Sequence, residues 1–304
     1  MNSLLDRRFL FITGKGGVGK TTVTAALALK FAAQGRKVLC AACNAKERFS
    51  TLFGVAPVGA EVTPLAPNIW GVNMDPAVAM AEYGMMILKS RTLYLAVFEN
   101  RYVRSFFRAT PGLYEWAMLG KAWWHTTEQT PDGSYRFDTV LLDAPATGHG
   151  LDMLRVPKVI VDLVPPGILR RDADRAWEMF RDSKRSGVVV VTLPEDMPVN
   201  ETLELLASLH QELQLPVERI VVNSMLPPLF SPAERTELTR PLPLNPFDAG
   251  HVALAAGARR SFRETVQAQN LARLAELKVP RVYLPHLFEG AENLDALRDL
   301  ARRL

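Results

Sequence analysis

The chain has 304 residues, of which 48% are hydrophobic and 22% charged, and its formal net charge is +4. This composition supports a substantial buried core and argues against a largely disordered protein. The basic residues are dispersed rather than blocked together, so no specific nucleic-acid partner is expected.

Short apolar runs alternate with helical patterns along the chain. The runs cover residues 9–12, 37–42, 69–72, 139–142, 187–192, 220–222 and 281–284. Most are almost continuously apolar, as strands buried on both faces should be. Alternation of such strands with helices predicts an α/β fold with a mostly parallel central sheet and helices on both faces.

The helical patterns divide the chain further. The first helix is predicted from about 20 to 34, with Gly35 as its stop, and later helices over 151–185 and 231–277. Residues 76–130 contain no strand-like run and are rich in large apolar side chains. We therefore predict one domain, 1–304, with an inserted helical subdomain at 76–130.

Two features of the sequence bear on location. The segment at residues 1–8 is short and charged, so no signal peptide is expected. No apolar stretch of the sequence is long enough to span a bilayer. Cys40 and Cys43 lie at the end of an apolar run, which favours two buried strand residues over a redox pair or half a zinc site. We expect a soluble, cytoplasmic protein whose association with a membrane, if any, is not integral.

A phosphate-binding loop follows the first predicted strand and opens the first predicted helix. It consists of Gly14, Lys15, Gly16, Gly17, Val18, Gly19, Lys20, Thr21 and Thr22. The pattern is that of a P-loop, in which glycines let backbone N–H groups converge on phosphate oxygens at a helix N-terminus. Lys20 would supply charge to the β- and γ-phosphates, and Thr21 a hydroxyl ligand for Mg²⁺. The sequence thus predicts a P-loop fold that binds ATP and Mg²⁺.

Two motifs carry a resemblance to a known family. Lys15, a second lysine early in the loop, is typical of the deviant Walker A subset of P-loop proteins. With the later segment Asp-Ala-Pro-Ala-Thr-Gly-His-Gly at 143–150, the loop resembles that of the arsenical-pump ATPase (ArsA) family and its relatives that target tail-anchored membrane proteins. The segments at 192–202 and 222–223 resemble this family more loosely. The resemblance spans most of the chain.

The resemblance implies roles for five residues. Two subunits would face each other across the nucleotides, with Lys15 reaching the phosphates of the partner. Asp143 would hold Mg²⁺ through water, and His149 would belong to a switch at 147–149 that senses the γ-phosphate. Asn223 and Pro285 would border the adenine. Lys15, Lys20 and Asp143 would therefore support ATP hydrolysis.

The segment after the second predicted strand departs from the family pattern. Asn44 stands where an Asp usually positions the attacking water, and an amide cannot accept a proton as a carboxylate does. Asn44 can still orient water, so hydrolysis is expected to be slow unless Glu47 substitutes for the missing Asp. The departure also allows the chain to be the weak half of a heterodimer with a paralogue, rather than a homodimer.

The client is left open by the sequence. The aromatic region 80–124 could be a groove for a hydrophobic or membrane-protein client, or an ordinary helical core. With two cysteines, arsenite transport is not expected. The alternative is a MinD- or ParA-like positioning switch that acts on membrane or DNA. Its membrane anchor would be a basic C-terminal helix that carries on one face Leu294, Leu297, Leu300 and Leu304. The simpler interpretation is that this helix docks on the sheet. A metallocentre-assembly ATPase is a weaker possibility.

Overall fold

The computed structural model describes residues 4–88, 112–145, 147–240, 247–291 and 293–304. In this part of the chain, the strands form one eight-stranded sheet in the order β3-β4-β2-β5-β1-β6-β7-β8. The strands are β1 (Phe9–Thr13), β2 (Val38–Cys43), β3 (Thr63–Ala66), β4 (Ile69–Met74), β5 (Thr139–Asp143), β6 (Ser186–Thr192), β7 (Val217–Met225) and β8 (Arg281–Pro285). All neighbours pair in parallel except β3 and β4.

Helices cover both faces of this sheet. Those described are α1 (Lys20–Ala32), α2 (Phe49–Phe53), α3 (Pro76–Leu88), α4 (Leu113–His125), α5 (Thr147–Leu163), α6 (Ile168–Arg181), α7 (Asp196–Gln211), α8 (Pro232–Leu238), α9 (Ala249–Ala275) and α10 (Leu294–Arg303). One apolar cluster joins the sheet to α1, α2 and α10, and another joins it to α3–α7 and α9. Every residue of the central strands β1, β2, β5 and β6 is buried, which explains their continuous apolar runs. The predicted α/β fold is confirmed.

Three local features differ from the sequence prediction. Strand β3 was not predicted, because it is short and contains Pro64, which is tolerated at a sheet edge where its missing N–H costs nothing. Helix α5 begins at Thr147, four residues before the predicted start, so the last four residues of the family motif are helical. Helix α1 ends at Ala32, slightly before the predicted end, and Gly35 follows with φ +80°.

The predicted inserted subdomain is described only at its two ends, α3 and α4. Residues 89–111, its centre, lie outside the described residues. Met80 of α3 and Trp116 and Leu119 of α4 are buried in the same apolar cluster as Phe9 and Leu39 of the sheet. The described ends of this region are therefore continuous with the core of the α/β domain.

The C-terminal helix α10 docks on α1 rather than presenting its apolar face. Leu297 and Leu300 are fully buried, and Leu304 is 5% exposed. The apolar face that a membrane anchor would require is therefore covered. The helix was expected to dock on the sheet, and it packs mainly on α1 and to a smaller extent on β8. Among the described residues, no helix is long and apolar enough to cross a membrane.

Candidate nucleotide site

The P-loop joins β1 to α1 at the carboxyl edge of the sheet, and two of its glycines, Gly14 and Gly19, leave no room for side chains. A Cβ at Gly14 would lie 2.1 Å from the carbonyl oxygen of Val191, and one at Gly19 would lie 2.4 Å from the amide nitrogen of Asn223. Both glycines also have positive φ, +146° and +94°. The loop can therefore approach the neighbouring strands β6 and β7 only with glycine at these positions.

The tip of the P-loop is exposed to solvent, and its base is packed against the apolar core. Gly16 and Gly17 are exposed, whereas Val18 is buried in the cluster under α1. Thr21 and Thr22 lie in the first turn of α1. The N-terminus of a 13-residue helix thus faces the concave side of the loop, where its unpaired N–H groups and positive dipole end favour an anion.

Lys20 lies inside the loop. Its Nζ donates to the carbonyl oxygens of Gly14 and Lys15, both at 3.0 Å. Burial lowers the pKa of Lys20, and nearby Asp143 opposes this shift. A partly buried ammonium whose hydrogen bonds go to two neutral carbonyls gains strongly from an anionic ligand.

Thr21 and Asp143 meet beside this lysine. The Thr21 hydroxyl donates to Oδ2 of Asp143 at 2.6 Å. Oδ1 of Asp143 is buried, and none of the described residues donates a hydrogen bond to it. Burial raises the pKa of Asp143 to about 6, while Thr21 and Lys20 act in the opposite direction. A hydroxyl beside a buried carboxylate with an unsatisfied oxygen fits a Mg²⁺ site, since Mg²⁺ prefers oxygen ligands and often keeps several waters.

Lys15 points across the loop to α7. Its Nζ donates to Oε1 of Glu201 at 2.7 Å, and both side chains are about two-thirds buried or more. Glu201 belongs to the family-like segment at 192–202, and the sequence did not predict its contact with Lys15. The lysine that is expected to reach a partner subunit is held by a carboxylate of its own chain in this structure.

Asn44 follows β2 directly and is exposed. Its φ is +44°, a left-handed conformation that Asn adopts more readily than most residues, and its N–H donates to the carbonyl of Met74 at 2.9 Å. The next residue, Ala45, is bracketed by Asn73, whose amide oxygen accepts from its N–H and whose amide nitrogen donates to its carbonyl. The sequence did not predict this contact of Asn73, because the residues of one strand do not indicate which loop lies beside that strand.

Glu47 is engaged in a local contact. Its carboxylate accepts hydrogen bonds from the backbone N–H and the hydroxyl of Ser50, in the first turn of α2. This is a helix-start interaction. Glu47 is thus committed to the start of α2, which counts against its taking the place of the missing Asp at position 44.

The second family motif lies at the start of α5. Residue 146 lies outside the described residues, and for residues 147–149, including His149, the description extends to the helical backbone and not to the side chains. Gly150 comes close to β1, because a Cβ there would lie 3.2 Å from the Thr13 hydroxyl and 3.1 Å from the carbonyl of Pro145. The end of the motif therefore lies beside the strand that leads into the P-loop.

The two residues expected near the adenine lie on adjacent strands. Asn223, near the end of β7, donates its amide N–H to the carbonyl of Val18 in the P-loop at 2.9 Å. Pro285 ends β8, where it pairs with Met225, and the N–H of His286 donates to the carbonyl of Met225 at 2.8 Å. The structure thus brings Asn223 to the P-loop and Pro285 to the neighbouring strand end.

The two cysteines are confirmed as buried and free. Burial, with a smaller contribution from Asp143, raises the pKa of both thiols, so they are unreactive. No cluster of three or more potential metal-ligating side chains occurs in the described ranges.

The loop, its lysine, the threonine of the following helix and the carboxylate of the adjacent strand together define a P-loop nucleotide hydrolase. The sequence profile of the Anion-transporting ATPase family matches residues 7–165 and 169–235, and the chain belongs to this family, that of ArsA. The protein is therefore an ATPase, as the sequence predicted.

Named relatives fall into three groups. ATPase BagA of Mycobacterium tuberculosis is 28% identical over an alignment of 320 residues, gaps included, and this alignment covers 98% of this chain and 92% of that protein. ATPase GET3C of Arabidopsis thaliana is 26% identical over 296 residues, covering 80% and 75%. An arsenical pump-driving ATPase of Acidiphilium multivorum is 27% identical over 240 residues, covering 72% of this chain and 40% of that protein.

Proposed function

We propose that the protein is a slow, dimeric, ATP-dependent switch whose nucleotide state controls the binding of a hydrophobic or membrane-protein client. The observation that carries the nucleotide part is the meeting of Thr21 and Asp143 beside Lys20 at the mouth of the P-loop. ATP phosphates would replace the two carbonyls as partners of Lys20. Thr21 and Asp143 would hold Mg²⁺, which would neutralise charge on the phosphates.

The dimer rests on Lys15. A lysine at the outer side of the loop is not needed for its own phosphates when Lys20 fills that role. The bond from Lys15 to Glu201 holds the ammonium near the loop, 26% exposed, where a facing subunit could present its nucleotide. Closure of the dimer would then exchange the carboxylate of Glu201 for the phosphates of the partner's ATP.

Slow turnover rests on Asn44 and on the local bonding of Glu47. Asn44 can orient a water molecule but cannot take its proton. The same feature supports the heterodimer version of the proposal, in which a better-equipped paralogue hydrolyses its ATP while this chain contributes Lys15.

The client part rests on the family alone. The name of the Acidiphilium relative refers to arsenical pumping, but both cysteines here are buried in β2, so arsenite is not the cargo we propose. The free thiols suit a reducing compartment, and we place the protein in the cytoplasm. The covered face of α10 counts against a positioning switch that anchors through this helix.

Sedimentation velocity tests the proposal. The purified chain, with Mg²⁺ and either ADP or a non-hydrolysable ATP analogue, should dimerise with the analogue, and Lys15→Ala should abolish this shift without loss of analogue binding. Lys184→Ala, which removes an exposed lysine elsewhere, should behave like the wild type. A chain that stays monomeric with every nucleotide, both alone and when co-expressed with a paralogue, would overturn the dimeric switch.

A further inference from the structure

A cavity of about 560 Å³ lies between α3, α4 and the segment that leads into β3. None of the described residues that line it belongs to the P-loop or to the Thr21–Asp143 pair. Arg136 on its wall precedes β5, whereas Asp143 ends that strand. The volume is in the usual range for sites that enclose a drug-sized molecule.

The wall of the cavity is formed largely by aromatic rings. Four of them come from Tyr83, Trp116, Trp123 and Trp124. Trp116 is fully buried and meets Tyr83 edge-on, with ring centroids 6.5 Å apart, whereas Trp124 is 40% exposed at the mouth. Flat, polarisable walls of this kind suit a ring system that can stack against them.

Small residues keep the space open. Ala79, Ala117 and Gly120 line the cavity from α3 and α4. A Cβ at Gly120 would make only ordinary contacts, 3.4 and 3.5 Å, with the ring of Trp116. Glycine inside a helix costs about 1 kcal/mol relative to alanine, so the backbone does not require glycine here, whereas an open cavity does benefit from it.

The charges around the cavity count against an anionic occupant. Lys121 pairs with Glu82 at 2.6 Å, and Arg136 pairs with Glu128 at 2.6 Å, so both basic side chains of the wall already have partners. Burial lowers the pKa of His125, which keeps its ring neutral. An anionic ligand would have to compete with these ion pairs.

One buried nitrogen atom of the wall gives the ligand a second requirement. Nε2 of His125 is buried and has no hydrogen-bond partner among the described residues, whereas the Trp116 indole acts as a hydrogen-bond donor to the Tyr83 hydroxyl. Nδ1 of His125 lies 2.9 Å from the carboxylate of Glu128, which favours the proton on Nδ1 and leaves Nε2 as an acceptor. An imidazole acceptor matches a ligand that carries a hydroxyl group.

We propose that this cavity is a binding site for a neutral, ring-containing small molecule that is mainly apolar and carries an oxygen substituent. The site is separate from the ATP-binding site and does not depend on the proposed dimer or client. It would let the ATPase respond to, or carry, a compound of this class.

The test uses the neutral probe N-phenyl-1-naphthylamine and the full chain. Three of the five tryptophans line the cavity, so probe binding should quench tryptophan emission as the probe fluorescence rises. Binding should saturate at one probe per chain with a Kd on the order of 100 μM, from the usual affinity per ligand atom. A ring-containing alcohol such as 2-naphthol should displace the probe, and naphthalene-2-sulfonate should displace it at least tenfold less well.

Gly120→Leu fills the cavity and should weaken probe binding at least tenfold, while ATP affinity and the thermal unfolding midpoint are retained. Ala79→Leu fills it from the opposite helix and provides the same test if the first variant does not fold. Ala253→Leu adds the same side chain to the exposed surface of α9 and should change nothing. The absence of saturable binding, equal binding by the filled variants, or displacement by an apolar peptide but not by 2-naphthol would overturn the proposal.

Discussion

The nucleotide site and the aromatic cavity are two concave regions of one domain, and they are built in opposite ways. The P-loop uses backbone groups in a fixed glycine conformation, with three charged or hydroxyl side chains, Lys20, Thr21 and Asp143, converging on one point. The cavity uses side-chain rings around an open space, and its basic groups are already paired. Charge therefore dominates recognition at the first region and shape dominates at the second.

This difference also explains how each region tolerates change. At Gly19, a Cβ would lie 2.4 Å from Asn223, so a single methyl group would displace the loop from its strand. At Gly120, the same methyl group fits. The nucleotide site should thus be lost by small changes, whereas the cavity should be lost only by filling it.

The largest expected effect is at Lys20. Lys20→Ala should weaken ATP binding by about 1000-fold, because it removes the ammonium that would form two hydrogen bonds with the phosphates, each contributing about 2 kcal/mol. Lys30→Ala, at the other end of α1, is the matched control. Isothermal titration with ATP measures both variants, and probe binding at the cavity should be unchanged in each. Loss of both ATP and probe binding by Lys20→Ala would show that the two regions are not independent.

The next effect is on turnover at the edge of the nucleotide site. Asn44→Asp should raise the hydrolysis rate by about 100-fold, since a carboxylate can accept the proton of the attacking water. Asn68→Asp is the control, because Asn68 is also exposed and also has a positive φ, +61°. Phosphate release under saturating Mg·ATP measures the rate. A wild-type rate equal to that of Asn44→Asp would contradict slow hydrolysis.

A smaller effect is expected at the proposed metal ligands. Thr21→Val should lower the gain in ATP affinity that Mg²⁺ provides by about tenfold, because it removes one oxygen ligand and the hydroxyl partner of Asp143. Thr21→Ser keeps the hydroxyl and should retain most of the gain. ATP titrations with Mg²⁺ and with EDTA measure the difference. If Thr21→Val and wild type gain equally from Mg²⁺, Thr21 is not a ligand.

The smallest effect concerns Lys15. Glu201→Gln removes the carboxylate that holds this lysine and should strengthen ATP-dependent dimerisation about fivefold, since a partly exposed ion pair contributes about 1 kcal/mol. Glu204→Gln, on the same helix and exposed, is the control. Sedimentation velocity over a range of protein concentrations measures the dimer. Weaker dimerisation of Glu201→Gln would mean that this bond positions Lys15 for the partner instead of restraining it.

The sequence alone predicted seven of the eight strands that the described residues form, the alternation of strands with helices and the P-loop pattern. These features depend on local properties. A strand that is buried on both faces must be apolar along its length, and a loop that wraps a phosphate needs glycines at fixed spacing. Strand β3 was missed because its four residues include Pro64 and depend on an edge pairing with β4 that no local pattern reports.

What only the tertiary structure decided is which distant residues meet. The bonds from Lys15 to Glu201 and from Asn73 to Ala45 join segments that lie far apart in sequence or on separate elements. The tryptophans of α4, for which the sequence left a groove and an ordinary helical core both open, line a cavity, because α3 and α4 leave space where Ala79, Ala117 and Gly120 are small. Residue type records what a side chain prefers, but packing between elements determines whether the space beside it is filled.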